Sequence, residues 1–146
     1  AGTIYNYYES KADLLGDTIE SIWREIFFNP EDEQVFKDVA ACISWIYKRL
    51  EYGNEQFPGF FSLHSLGFMK DEKMDGKKKM LQTWGHILNG LCDILKNDPK
   101  IRPDVFDEQF TEKQFADILF SLILVSMIRQ DYNPSSILML INKTLY

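Results

Sequence analysis

The apolar residues of this chain recur with the period of an α-helix along nearly its whole length. The first series is Leu15, Ile19, Ile22 and Ile26, which step by 4, 3 and 4 and so share one helix face. No stretch shows the strict alternation that a half-buried strand requires. The sequence therefore predicts an all-α protein. Two longer helical series follow: Val35, Val39, Ile43, Ile46 and Leu50, then Met80, Trp84, Ile87, Leu91 and Ile94.

Capping residues and prolines mark where these helices begin and end. Ser10 with Asp13, and Thr111 with Gln114, have the spacing of capping boxes, in which each side chain satisfies a free backbone N–H of the first turn. Prolines that follow an asparagine fit the same role at a helix start. The predicted elements are a helix over 14–27, a helix from Asn29-Pro30 to Gly53, a short helix over 60–69, a long helix ending at Asn97-Asp98-Pro99, a loop over 99–110, a helix from Thr111 to about Arg129, and a last helix over 135–145 after Asn133-Pro134.

Size and composition exclude several classes of protein. The chain has 146 residues, 45% of them hydrophobic, which is enough for one buried core and too apolar for disorder. Its longest dense apolar stretch, Ile118 to Ile128, is shorter than the roughly 18 residues of a membrane span. Two cysteines exclude a disulfide scaffold, and His64 and His86 lack partners at metal-ligand spacing. We therefore expect no membrane association, no metal and no cofactor.

Charge and motif content narrow the function further. With 16 basic and 22 acidic residues the net charge is −6, which argues against a chain whose main surface binds nucleic acid. The sequence shows no set of nucleophile, base and orienting residue, and no glycine-rich phosphate loop. We expect a protein that is not an enzyme. The pattern of a secretory signal is also missing at the start of the chain, so a cytoplasmic location is expected.

The last two predicted helices carry more apolar surface than a small core can bury. The helix around Phe115 to Ile128 is apolar nearly all round, and the final helix repeats the problem at the same end of the chain. Such helices favour a homodimer interface, with a purely internal core as the alternative. The predicted interface residues are Phe120, Leu124, Met127, Ile128, Leu138 and Ile141.

The N-terminal residues combine groups that contact phosphates. Hydroxyl groups and backbone N–H groups at helix N-termini, with a lysine nearby, are typical of proteins that bind a nucleic-acid backbone. Spacing alone favours a simpler interpretation, a terminal helix whose tyrosines pack on the domain. The stretch reads Gly2-Thr3-Ile4-Tyr5-Asn6-Tyr7-Tyr8-Glu9-Ser10-Lys11-Ala12-Asp13-Leu14-Leu15.

This run of about 14 residues resembles the recognition-helix signature of the TetR-family (tetracycline-repressor-like) transcriptional regulators. The remainder of the chain is similar to that family in helix layout and not in motif. The resemblance implies an all-α bundle of TetR-regulator type. Residues 1–28 would be a remnant of the N-terminal helix-turn-helix DNA-binding domain, with its recognition and connecting helices. Residues 29–146 would form the C-terminal ligand-binding and dimerisation domain.

Residue roles follow from the same resemblance. Thr3, Tyr5 and Lys11 match positions that contact phosphates, while Asn6 and Tyr7 match positions that face the major groove. The family places two further helices before this signature, and a recognition helix needs them for support. We therefore expect the chain to belong to a longer polypeptide that binds operator DNA only with those helices. The acidity then describes the part that does not touch DNA.

The family's effector pocket lies among the middle helices, and aromatic residues there are the candidates to line it. The implied function is a ligand-responsive DNA-binding transcriptional regulator, a repressor that a small apolar or aromatic effector releases from its operator. One alternative is a free-standing α-helical carrier or binding protein for a hydrophobic small molecule, and another is a dimerisation module without a ligand. The candidate ligand-binding residues are Trp45, Phe60, Phe61, His64, Trp84, Leu88 and Phe120.

Overall fold

A computed structural model describes residues 21–27, 36–61 and 75–146 of the chain. Within these ranges every regular element is a helix, so the described part of the protein is all-α as predicted. None of the described helices is long and apolar enough to cross a membrane. The helices are α1 over 21–27, α2 (Val39–Gln56), α3 (Asp75–Asn97), α4 (Glu112–Arg129) and α5 (Ser135–Thr144).

Helix α2 differs from its prediction at both ends. It begins at Val39 because the carboxylate of Asp38 accepts a hydrogen bond from the Ala41 N–H at 2.7 Å. The continuous helix expected from Asn29-Pro30 to Gly53 was therefore wrong over 36–38, while Asn29 and Pro30 lie outside the described residues. Gly53 does not end the helix, which continues to Gln56. A Cβ at Gly53 would lie 2.7 Å from Ile26 Cδ1, so the glycine instead lets α1 approach α2 closely.

The later helix boundaries agree with the sequence. Thr111 and Gln114 form the predicted capping box at the start of α4, and the helix ends at Arg129 as expected. The Asn133 side chain accepts a hydrogen bond from the Ser135 N–H at 3.0 Å at the start of α5. Helix α3 ends at Asn97, and a loop without regular helix joins it to α4.

One core unites the described helices. Helix α3 packs against α4, and α2 lies against both α3 and α5. Trp23 and Ile26 of α1 are 1% and 0% exposed, so α1 belongs to the same core. Residues 28 and 29 lie outside the described residues, and the predicted domain division there stays a prediction. Other fully buried core residues are Val39, Ile43, Leu50, Phe61, Leu91, Leu119, Ile141 and Leu145.

A polar cluster joins the start of α2 to the loop after α3 and to the end of the chain. The Asp98 carboxylate accepts hydrogen bonds from the Val39 N–H at 3.0 Å and the Tyr146 hydroxyl at 2.7 Å. Lys100 Nζ lies 2.6 Å from Asp38 Oδ2. The hydrogen bond from Lys100, with that from the Ala41 N–H, lowers the pKa of Asp38. These contacts fix the N-terminal end of α2 beside the C-terminal end of α3.

Candidate ligand-binding cavity

A cavity of about 440 Å³ lies between α1, α2 and α3. Its volume falls within the range of about 300–1,000 Å³ that small-molecule sites occupy. Ile87, Leu91 and Ile94 form the apolar part of its α3 wall, and Cys42 and Ile46 contribute from α2. The described elements thus border a mainly apolar space among the middle helices, the region where the resemblance implies an effector pocket.

Three aromatic rings form one continuous side of the cavity. The Trp45 ring has its centroid 5.3 Å from that of Phe36 and 6.3 Å from that of Phe27. Phe27 in turn stacks on Trp23, with centroids 5.8 Å apart and planes inclined by 16°. Because Phe27 and Trp23 belong to α1, a molecule in the cavity contacts a ring that is packed into that helix.

The α3 side of the cavity contains a glycine, Gly90, although no neighbouring atom is close enough to exclude a larger residue. A Cβ placed on Gly90 would meet no heavy atom within 4 Å, although the residue lies well inside a 23-residue helix. Glycine there costs about 1 kcal/mol of helix stability relative to alanine. The space over Gly90 is therefore part of the cavity rather than a close contact between helices.

Polar and charged side chains border the same cavity. His86, Asp93 and Asn97 come from α3, and Lys37 comes from the segment before α2. Asp93 and Lys37 are exposed. The Cys42 thiol is 4% exposed and burial raises its pKa to about 12, so it acts as an apolar wall residue and not as a nucleophile. Among the described residues, the cavity offers binding groups and no evident catalytic set.

Helix α1 is also fastened to α2 at its C-terminal end. Arg49 Nε donates to the Ile26 carbonyl at 2.5 Å and Arg49 Nη2 donates to the Glu25 carbonyl at 2.8 Å. The guanidinium carbon lies 4.3 Å from the centroid of the Tyr52 ring. These contacts satisfy carbonyls near the end of α1 and hold it at a fixed point beside the cavity.

The structure places the predicted ligand-binding residues in two different environments. Trp45 borders the cavity. His64 lies outside the described residues. Leu88 is half-buried and packs against the core without bordering the cavity. The other four belong to an aromatic cluster around Trp23 in the protein interior. Its ring pairs are Trp23 with Phe60 at 5.3 Å, Trp23 with Phe61 at 5.6 Å, Trp23 with Trp84 at 6.4 Å, and Trp84 with Phe120 at 5.7 Å.

Several cavity residues were missed from the sequence, although α3 carried a usable signal. His86, Gly90, Asp93 and Asn97 step by 4, 3 and 4 and therefore share one face of that helix. A face that combines polar residues with a glycine, beside an apolar stripe, is typical of a cavity wall rather than of a sealed core. Phe27 and Phe36 carry no such signal, because Phe27 is the last described residue of α1 and Phe36 lies outside a helix, three residues before α2.

The described residues also include a second surface of interest, on α4 and α5. Six large apolar side chains there are between 36% and 54% exposed. Of the predicted interface residues, Ile128 is among them, while Phe120, Leu124 and Leu138 are half-buried. Met127 and Ile141 are corrected, because the helical period turns them inward into the protein's own core, where they are 2% and 0% exposed. The exposed set is Ile118, Leu122, Val125, Ile128, Met139 and Leu140.

A groove of about 440 Å³ lies on the same surface, between α4 and α5. Leu122, Val125 and Leu140 border it, and Tyr47 of α2 lies at its base. The Tyr47 hydroxyl is 2.6 Å from Ser126 Oγ, which ties α2 to α4 at this point. The surface thus combines protruding apolar side chains with a depression between the two helices.

The predicted DNA-contacting residues Thr3, Tyr5, Asn6, Tyr7 and Lys11 lie outside the described residues. In the described part of the chain, no three His, Cys, Asp or Glu side chains group closely enough to hold a metal ion. Comparison of the chain with protein-family models, curated proteins and solved structures gives no match. The N-terminal motif and the cavity are therefore the two features from which a function can be inferred.

Proposed function

We propose that this protein is a ligand-responsive transcriptional regulator that represses by binding an operator and leaves it when a small effector occupies the cavity. The observation that carries the proposal is the position of Phe27, which borders the cavity and belongs to α1. The described part of that helix comes five residues after the stretch that resembles a recognition helix. A ligand in the cavity therefore touches the element closest to the DNA-reading motif.

The mechanism is a shift between two positions of α1. A ligand changes such an equilibrium only by binding one position more tightly than the other. Contact with Phe27 supplies this difference, because that ring is stacked on Trp23 and a ligand that displaces it also disturbs this contact within α1. The hydrogen bonds from Arg49 fix the carbonyls of Glu25 and Ile26, so a displacement that Phe27 passes to Trp23, one turn earlier, pivots the helix about this fixed point.

The tilt alters operator binding if the protein acts as a dimer. The two DNA-reading segments must match half-sites about one helical turn, or a multiple of it, apart. We assign the dimer interface to the exposed apolar surface of α4 and α5, with a second copy of this chain as its occupant. Monomeric proteins seldom leave such a patch uncovered. Protruding residues such as Met139 and the groove beside Leu122 give this surface the two halves of a self-complementary, twofold contact.

The cavity alone also fits the alternative function, a carrier for a hydrophobic small molecule. The contact between the cavity and α1 favours the regulator, since a carrier has no need to couple its ligand to the helix after the N-terminal motif. Operator binding separates the two functions. A carrier binds the small molecule and shows no sequence-specific DNA binding.

The experiment uses the polypeptide with the helices that the resemblance implies ahead of residue 1. Duplexes selected from a random library should converge on a palindrome, and its affinity should fall steeply with salt concentration. A polypeptide with Tyr5→Phe and Lys11→Ala should keep its fold and lose most of this affinity. Convergence on no sequence, with the cavity still able to bind small molecules, would contradict the regulator and support the carrier.

A further inference from the structure

We propose that the cavity between α1, α2 and α3 selects a lipophilic organic cation, an aromatic molecule that carries a delocalised or quaternary positive charge. This inference rests on the proposed function only in taking the cavity as the effector site. Three features indicate this class of ligand: the aromatic rings of the cavity, the unpaired Asp93 carboxylate, and the N-terminus of α2, whose first N–H groups are already hydrogen-bonded.

The aromatic rings of the cavity favour a positively charged ligand. Trp45 lies between Phe27 and Phe36, at centroid distances of 6.3 and 5.3 Å, with interplanar angles of 60° and 56°. Tilted rings present faces in several directions, and the faces of Trp and Phe attract cations through their quadrupoles. The attraction strengthens when the bound cation itself displaces water from the ring faces.

Asp93 supplies the second feature. It borders the cavity, and within the described residues its carboxylate has no hydrogen bond or ion pair, since only its backbone carbonyl accepts, from Asn97 Nδ2 at 2.8 Å. The short side chain keeps its charge close to the α3 backbone. A cation held by the rings can therefore also be neutralised by this group.

An anionic ligand is the alternative, but the helix N-terminus that could bind it is already hydrogen-bonded to carboxylates of the protein. Helix N-termini bind anions, and the N-terminus of α2 begins directly after the cavity residues Phe36 and Lys37. Its first N–H groups are taken by two carboxylates, Asp38 from Ala41 and Asp98 from Val39. Lys100 is paired with Asp38.

Lys37 then remains as the one unpaired cation that borders the cavity within the described residues. Its side chain is exposed, and a long lysine stem allows the ammonium to turn into water while the stem covers apolar surface. The Asp93 side chain is exposed too but shorter, so its carboxylate stays closer to the α3 surface that borders the cavity. Among the described residues, the charged group nearest to the cavity wall is therefore a carboxylate.

Three probes with the same two-ring skeleton test the sign of the charge. N-methylquinolinium is a cation, 1-methylnaphthalene is its neutral counterpart, and 1-naphthoate is an anion. Titration calorimetry on the 146-residue chain should show that the cation binds about tenfold more tightly than the neutral probe. The anion should bind more weakly than both.

Variants locate the preference in the cavity. Asp93→Asn should remove most of the preference for the cation, whereas Asp117→Asn, an exposed carboxylate on α4 that does not border the cavity, should leave it unchanged. Lys37→Met should increase the preference, because it removes the competing positive charge. An anionic site would give the opposite sign for both cavity variants.

Equal or tighter binding of the neutral or anionic probe would overturn the proposal, as would a preference that survives in Asp93→Asn or the absence of binding by any probe. These measurements involve no DNA, so they judge the class of ligand separately from the regulator. A cation that binds in the cavity without releasing an operator would leave this inference standing and contradict the proposed function.

Discussion

Two glycines of α3 provide a matched test of whether the cavity is a binding site. Gly85 and Gly90 both lie inside the 23-residue helix, both have negative φ, and a Cβ on either meets no heavy atom within 4 Å. Gly90 borders the cavity and Gly85 does not. The two positions therefore share the same backbone effect of substitution and differ in their relation to the cavity.

Alanine at either position should stabilise the protein equally. Replacing an interior helix glycine by alanine gains about 1 kcal/mol when nothing obstructs the new methyl group. With a urea m-value of about 2 kcal/mol per molar, the unfolding midpoint should rise by about 0.5 M for Gly85→Ala and Gly90→Ala alike. A destabilised Gly90→Ala would show that the space over Gly90 is filled in solution and would refute the reasoning.

Leucine separates the two positions through binding. In Gly90→Leu the side chain occupies the space that a ligand needs, and relieving such overlap costs about 1–3 kcal/mol, which corresponds to roughly 5- to 150-fold weaker binding. Gly85→Leu should bind the three two-ring probes with the same dissociation constants as the wild type. Titration calorimetry with the tightest of the three probes measures both. Equal effects of the two leucine variants on the dissociation constant would refute the assignment of the cavity.

Three further predictions concern the interface, the polar cluster and the end of α1. Leu122→Arg should convert the dimer to a monomer in sedimentation equilibrium, whereas Lys113→Glu, on an exposed polar position of the same helix, should remain dimeric; a dimeric Leu122→Arg would contradict the interface. Asp38→Ala should lose about 1 kcal/mol of unfolding free energy in urea and Asp38→Asn less, because asparagine still caps. Since the folded-state pKa of Asp38 is lowered, its stabilisation is complete above the ordinary pKa of 3.8 and is lost as pH falls through the folded value, and Asp38→Asn should remove that acid dependence. Arg49→Met should cost about 2 kcal/mol and increase amide hydrogen exchange over residues 21–27, and unchanged exchange there would contradict the fastening of α1.

Local signals in the sequence were sufficient for most helix boundaries. The capping box of Thr111 and Gln114 and the helix end at Asn97 depend on neighbours in the chain, and both were predicted correctly. The two errors in α2 have a tertiary cause. Asp38 caps α2 and is paired with Lys100, which is distant in sequence, and Gly53 serves a close contact with Ile26 of another helix.

The cavity shows the same limit. Aromatic residues were correctly expected among the middle helices, but the sequence could not divide them between core and cavity. Trp84 and Trp45 are both half-buried, yet Trp84 packs on Trp23 and Phe120 while Trp45 borders the cavity. That division depends on how α1 enters between α2 and α3, which periodicity does not specify.

The proposed function requires that occupancy of the cavity changes the affinity of the protein for DNA. Its most direct test measures the operator dissociation constant by fluorescence anisotropy, with and without a saturating cavity probe, on the polypeptide that includes the helices implied ahead of residue 1. The probe should weaken operator binding by about 5- to 150-fold in the wild type and in Gly85→Leu. Gly90→Leu should bind the operator normally and not respond to the probe. If calorimetry shows that the probe fills the wild-type cavity while the operator affinity stays the same, the proposed ligand-responsive regulation is contradicted.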